Sequence, residues 1–309
     1  MAIKWNNKIL LAKIEATYGV DAVPIAENGV LATNVSFSPM EGQDVDRELE
    51  LPYLAAGGTI PADLHGKMSF NVELAPSGTT GVAPAWGPLL RACACAQTIV
   101  VATSVTYNPV TDDHESVSIH FFIGSTRFVL LGTRGTVTME FSASGIPYLR
   151  FELTGLFRKP TEVTRPGTDL TAFRKPQLVN MANTPVFTIG GTALIMRRCM
   201  LNLANQVEPR FLVGDESILI TDRSDVLEAT VVAVPLSTLD PYAIALADAT
   251  VAVELVHGTG AGKIATLGVP RAQMQRAQGL ENAQGITEWP LRMVPLADTG
   301  NDQWTLTLT

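Results

Sequence analysis

Charge is scarce in this chain. Asp, Glu, Lys and Arg make up 17% of its 309 residues, against roughly 25% in an average soluble domain. A lone copy therefore has few charges with which to wet its surface, and part of that surface is expected to meet a partner. The net charge is −8 and the Lys and Arg residues are scattered, so no basic run offers to neutralise a row of phosphates, which disfavours nucleic-acid binding. Cysteine is equally thin: Cys93, Cys95 and Cys199 are three, an odd number with two of them one residue apart, which makes no disulfide framework. A zinc site needs four ligands at set spacings, so the cysteines read as reduced, small and buried, and no metal is assigned. Long apolar runs are also missing. Asp240, Asp248 and Glu254 interrupt the best candidate well short of the roughly 20 residues a membrane helix needs. Near the start, Ile9-Leu10-Leu11-Ala12 is cut short by Lys13 and Glu15, too brief for a signal-peptide core, so the protein is expected to stay in the cytoplasm where it is made.

Catalytic machinery is the next absence. The segment His257 to Ile264 looks like a phosphate-binding loop, but such a loop needs a Gly where His257 stands and a Ser or Thr where Ile264 stands, so a Gly-rich hairpin turn explains it better. Asp112-Asp113-His114-Glu115 lacks the helix-loop-helix setting of a calcium site and reads as a solvated turn. His65, His114, His120 and His257 form no recognisable pair, and no Ser sits in a nucleophile elbow. Without a secretory signal, the acceptor-like Asn34-Val35-Ser36 carries no meaning. The chain is read as no enzyme and as needing no cofactor.

What is present is alternation, written twice. Met68, Phe70, Val72 and Leu74 alternate with polar residues, as do Val137, Met139 and Phe141, then Leu149, Phe151 and Leu153, and finally Trp304, Leu306 and Leu308. Period two describes strands with one dry and one wet face. The strand Lys67 to Leu74 leads through a Pro-containing turn to a short apolar helix at Trp86 to Ala96; Leu227 to Val234 leads through Pro235 and Asp240-Pro241 to another at Tyr242 to Ala249. Asp240 is the expected N-cap of the second helix, and each helix is expected to plug one end of its sandwich. Leu131-Gly132 opens a hairpin that returns through Leu149-Arg150-Phe151, and Leu267-Gly268 opens one that returns through Leu291-Arg292-Met293. Val117, Ile119 and Phe121 match Val251, Val253 and Leu255 in the same way. A repeat constrains architecture more firmly than a short motif. The predicted fold is mainly β: two tandem antiparallel β-sandwich or partial-barrel domains, each with a short helix. The first spans residues 1–157 and the second 186–309, with a Pro-rich linker over 158–185.

A stretch over residues 50–66, with Pro52, Gly57-Gly58 and Pro61, is too long for a simple hairpin connection and reads as a protruding arm. Loops of that length are usually functional.

The run Asn7-Lys8-Ile9-Leu10-Leu11-Ala12-Lys13-Ile14-Glu15-Ala16-Thr17-Tyr18-Gly19-Val20-Asp21, followed by Asn28-Gly29-Val30-Leu31, then Val35-Ser36-Phe37-Ser38-Pro39, then Arg47 before a Gly-rich stretch, resembles the opening of major tail tube proteins of long, non-contractile-tailed bacteriophages. The likeness is closest over the first hundred residues; the second half follows by order of elements. Its length makes the chain similar to a duplicated type with two tube domains in one polypeptide. The resemblance implies a structural virion protein of the phage tail, assembled in the host cytoplasm, that forms trimeric rings of pseudo-sixfold symmetry and stacks them into a conduit for DNA ejection. It implies as partners the chain itself, a tape-measure protein, a tail terminator and distal tail proteins, with DNA passing non-specifically and no membrane binding.

On that reading the arm contacts an adjacent ring through Leu51, Pro52, Tyr53, Leu54, Ile60 and Pro61. A tube must not hold the DNA it passes, so its lumen is expected to be acidic or neutral. Asp44, Asp46, Glu48, Glu73, Glu140 and Glu152 are the candidates to line it, being polar-face or neighbouring carboxylates. A different class, a two-domain β-sandwich binding module of carbohydrate-binding or adhesin-like type, has the same fold. It usually relies on exposed aromatic platforms, whereas aromatics are only 6% here and fall mostly at core positions of the alternation.

Overall fold

Two runs of chain, each alternating apolar and polar residues, fold into sheets that share a single apolar interior. The structure, a computed structural model, describes residues 3–309; Met1 and Ala2, the start of the first predicted domain, lie outside it. The first half holds strands β1 (Lys8–Ile14), β2 (Ala32–Asp46) and β3 (Thr59–Glu73), helix α1 (Gly87–Arg91), then β4 (Cys95–Val100), β5 (Ser104–Pro109), β6 (Val117–Ile123), β7 (Thr126–Ser142) and β8 (Tyr148–Glu162). The second half holds β9 (Val186–Ile189), β10 (Thr192–Ala193), β11 (Met196–Asn202), β12 (Asn205–Leu212), β13 (Asp215–Arg223) and β14 (Val226–Val232). It continues with helix α2 (Pro241–Leu246), β15 (Thr250–His257), β16 (Ala265–Met274), β17 (Glu281–Ala283), β18 (Ile286–Pro295) and β19 (Thr305–Leu308).

Every pairing between these strands is antiparallel, and the order of partners repeats. In the first half β1 pairs β6, β6 pairs β7, β7 pairs β8, β8 pairs β3 and β3 pairs β2. In the second, β9 pairs β15, β15 pairs β16, β16 pairs β18, β18 pairs β14 and β14 pairs β11. One strand pair joins the halves into a continuous layer: β11 lies along the end of β7, with Cys199 opposite Phe141 and Leu201 opposite Met139. The resulting order, β2-β3-β8-β7-β11-β14-β18 followed by the end of β16 with β17, makes one eight-strand layer.

The long strands serve two layers. β7 faces β6 with its first residues and β11 with its last, and between them its register with β8 shifts at Leu131/Arg134. Such a bulge bends a strand from one sheet into another. Gly132 stands there with φ +56°, and a Cβ on it would meet the Tyr18 ring at 2.6 Å, so both the backbone and the space exclude other residues. The Glu15 carboxylate anchors the same corner. It accepts hydrogen bonds from the Gly132 and Gly19 amides, both at 2.8 Å, and from the hydroxyls of Ser116 and Ser118 at 2.6 and 2.8 Å.

Phe70, Phe151, Val137 and Met139 of the first half and Leu227, Met293, Cys199 and Leu201 of the second belong to one cluster of buried side chains. The core is thus continuous across the halves. A second seam, β19 of the second half between β16 and β5, ties the outer layers together. Leu89 and Leu90 of α1 are buried within the cluster. α2 differs from the expected plug. It touches the core through Ile244 and Ala245 and leaves Tyr242 and Leu246 outside. That cap is Asp240, whose Oδ1 accepts from the amides of Tyr242 and Ala243 at 3.0 and 2.9 Å.

The segment from 163 to 185, irregular in backbone, runs along its own chain. Asp169 N–H donates to Ala26 O, Val179 is buried and exchanges backbone bonds with Ser144 and Gly145, and the Gln177 side chain bonds Thr259.

Candidate assembly interface

The eight-strand layer ends in two open edges. β2 is paired by β3 along one side, and its other side has no strand partner among the described residues. At the opposite end, β17 is paired only by β18, and residues 275–280 before it are irregular, with the Gln275 amide donating to Arg292 O. Unpaired N–H and C=O groups along a sheet edge invite another strand. Exposed apolar side chains sit at both edges, Leu31 just before β2 and Met40 within it, and Leu280 and Ile286 at the far end.

Two hairpin arms extend from the same layer. β2 and β3 continue past the body as a bulged hairpin, paired out to Asp46 opposite Thr59 and closed by an exposed loop over residues 47–58. Leu51, Pro52, Tyr53 and Leu54 occupy that loop, with Leu54 wholly exposed, whereas Ile60 and Pro61 stand on β3 opposite Val45 and Asp44. The arm read from the sequence over 50–66 therefore combines the tip with one strand of the hairpin. β12 and β13 form a second arm, separate in register from the main sheet, with Leu212 and Val213 exposed at its tip. Sequence reading missed it, although Val207 and Phe211 alternate with charges before a Val213-Gly214-Asp215 turn.

The second arm lies across the first half of its own chain. The Arg134 guanidinium donates to Ile218 O at 2.9 Å and stacks over the Tyr18 ring at 4.8 Å. Asn205 Nδ2 donates to the carbonyls of Cys93 and Gly135, each at 2.9 Å, and Arg223 donates to Asn205 Oδ1 and Ala94 O. His65 and Phe211 bring the two arms together, ring centres 6.2 Å apart.

The layer's second face is polar. Ser69, Glu152 and Thr136 face one another across β3, β8 and β7, as do Asn71, Arg150 and Thr138 one step on. Glu73 and Glu140 flank Tyr148 on the same face. Three of the six carboxylates singled out, Glu73, Glu140 and Glu152, are therefore brought onto one surface. Asp44, Asp46 and Glu48 are not; they lie out along the first arm. Cations share the face. Arg150 and Arg198 both pair with Glu140, the latter at 3.3 Å, and Arg198 arrives from β11, so this triad bridges the two halves.

The sequence model of a family described as phage tail tube protein matches residues 5–297. This chain belongs to the phage tail tube protein family. It is a structural component of a bacteriophage virion, as the resemblance of its opening residues implied, and its mainly antiparallel β fold with two short helices accords with that. No curated protein matches it.

The groups weighed for chemistry have structural places in this tail tube protein. The Gly258 to Lys263 segment is the turn joining β15 to β16. Burial pushes the Cys95 and Cys199 thiols up to about 12 and Cys93 well above its ordinary value, which keeps all three protonated and inert. Glu115 pairs with Arg91, its Oε2 accepting from Nε at 2.6 Å. His120 is held below its usual value by burial, against the opposing pull of Asp21 at 2.9 Å. Among the described residues no cluster of His, Cys, Asp or Glu could hold a metal ion.

Proposed function

We propose that the protein builds the wall of a phage tail tube as stacked rings of three chains, each ring presenting six similar modules. The two modules correspond to residues 1–157 and 186–309, with 158–185 connecting them. One observation carries this reading: the pairing order of the first half recurs in the second, the halves are already joined by β7 and β11, and the layer still ends in two open edges. Curved layers with open edges lose them by closing into a barrel, and head-to-tail contacts close into rings when the rotation fits.

The polar face lines the lumen. Glu73, Glu140 and Glu152 stand there among hydroxyls, and Arg150 and Arg198 offset Glu140, so the lumen is near neutral rather than strongly acidic. DNA then passes without the counterion release that a basic wall would cause. The exposed tip of the first arm, Leu51 to Leu54, reaches the adjacent ring. Tape-measure protein occupies the tube during assembly in the host cytoplasm, and terminator and distal tail proteins cap its ends.

Negative-stain electron microscopy over a range of concentrations, with particle mass measured alongside, tests this. Rings of three-chain mass with a sixfold outline, stacking into tubes, are expected. Strictly monomeric particles at high concentration overturn it.

A further inference from the structure

The seam between β7 and β11 joins the two halves within the chain, and the repeat gives it a counterpart between chains. Phe151 faces Phe70 and Val137, and Met293 faces Leu227 and Met274. Overlaying these triplets sets Val72 on Ala229, and so sets Ala32, the partner of Val72, on Cys199, the partner of Ala229. At the intrachain seam Cys199 faces Phe141. Phe141 lies four positions after Val137. Beyond Met274, however, the chain is two residues longer, because Ala272 faces Pro295 whereas Glu281 faces Glu288. The place of Phe141 therefore falls on Leu280.

We infer that the free edge of β2 pairs antiparallel with residues 275–283 of a second copy of this chain, with Leu280 opposite Ala32. The inference rests on the ring reading above and gives it a register. Phe141, at the seam already made, is 0% exposed, and Leu280 at the matching place is 62% exposed. A large apolar side chain at a core-equivalent position, left in water beside an unpaired edge, is what a second copy covers. Ala32 and Val35 on β2 are only partly covered, although their counterparts Cys199 and Leu201 are fully buried.

The arms follow the same rule. Arg134 lies three residues before Val137 and holds the second arm at Ile218; Arg271 lies three before Met274 and, in the single chain, pairs with the exposed Asp298. The base of the first arm consequently crosses the second half of the neighbouring chain in the same ring, with Arg271 in the place of Arg134. Its tip remains free for the next ring.

Disulfide trapping reads the register directly. Facing residues of an antiparallel pair bring their Cα atoms within about 4.5–5.5 Å, the range a disulfide spans, and the native cysteines are buried. The double variant Ala32→Cys with Leu280→Cys, oxidised under assembly conditions, should give two- and three-chain species on a non-reducing gel. Either single variant, and the off-register pair Ala32→Cys with Ile286→Cys, should leave single chains. Rings or tubes seen by microscopy without that cross-link, or equal cross-linking of the off-register pair, overturn the register while the ring reading stands. Absence of any assembly overturns both.

Discussion

Asp225 is a carboxylate at a core position, and replacing it measures what that charge costs. It lies in the break between β13 and β14, where the overlay of the two halves sets Met68 in the first. Its Oδ1 has no hydrogen-bond partner among the described residues, and the buried Trp304 Nε1–H approaches the carboxylate without reaching full hydrogen-bond geometry. Burial pushes its pKa up from 3.8 to about 6, with Arg223 pulling the other way. A rise of about two units corresponds to about 3 kcal/mol. The folded state holds this proton more tightly than the unfolded chain. The contribution is therefore fully present below pH 3.8 and is lost as pH rises through 6. About 1.5 kcal/mol of it falls between pH 5 and pH 8. Asp225→Asn keeps the shape and removes the titration, while its amide N–H groups, lacking acceptors, cost about 1 kcal/mol. Urea unfolding of both proteins at pH 5 and pH 8, at concentrations that keep them unassembled, should show the parent losing about 1.5 kcal/mol more than the variant across that interval. Using the difference cancels the opposite trend from His120 and His257, whose lowered values add stability as pH rises. Parallel pH dependence in the two proteins would refute the reasoning.

Phe141→Ala should destabilise the chain by about 3–5 kcal/mol, since it empties a fully buried site at the seam between the halves; a loss below about 1 kcal/mol in denaturant titration would mean the seam collapses around the gap. Glu15→Ala leaves two amides and two hydroxyls without their acceptor, so a loss of about 3 kcal/mol or more is expected, read as an earlier urea midpoint with unchanged slope. Replacing residues 47–58 with an Asn-Gly turn closes the first arm on the existing Asp46 to Thr59 pair. The shortened protein should melt within about 2 °C of the parent and form no tubes; tubes of ordinary length from it would rule out the tip as the contact between rings.

Strands that bury one face entirely were legible in the sequence. Phe70, Val137 and Leu149 announce their strands because each is fully buried between polar neighbours in sequence, and Asp240 announces its helix through a purely local hydrogen bond. The arms were less legible. Residues 40–46 and 59–66 carry no clean alternation, because neither face of that hairpin meets the core of its own chain; β12 and β13 alternate only weakly, since the surface they cover belongs to the other half. α2 carries the apolar content of a buried helix, yet its outward residues find no cover within the chain. Of the six carboxylates assigned to the lumen, those within alternating strands fell on one face, because period two dictates it. Asp44, Asp46 and Glu48 follow bulges at Ser38/Glu41 and Glu41/Gln43, which break the count of faces along β2.

For the proposed ring of three chains, the pairing of β7 with β11 also changes the kinetics of growth. Two modules tethered in one polypeptide meet at an effective concentration set by the connecting segment rather than by the number of copies in the cell. Every second seam of the proposed ring would therefore be complete when the chain has folded, at any dilution. Only the alternate seams depend on encounter between molecules, so nucleation follows a lower power of concentration than it would for single modules, and a half-made ring always contains whole pairs.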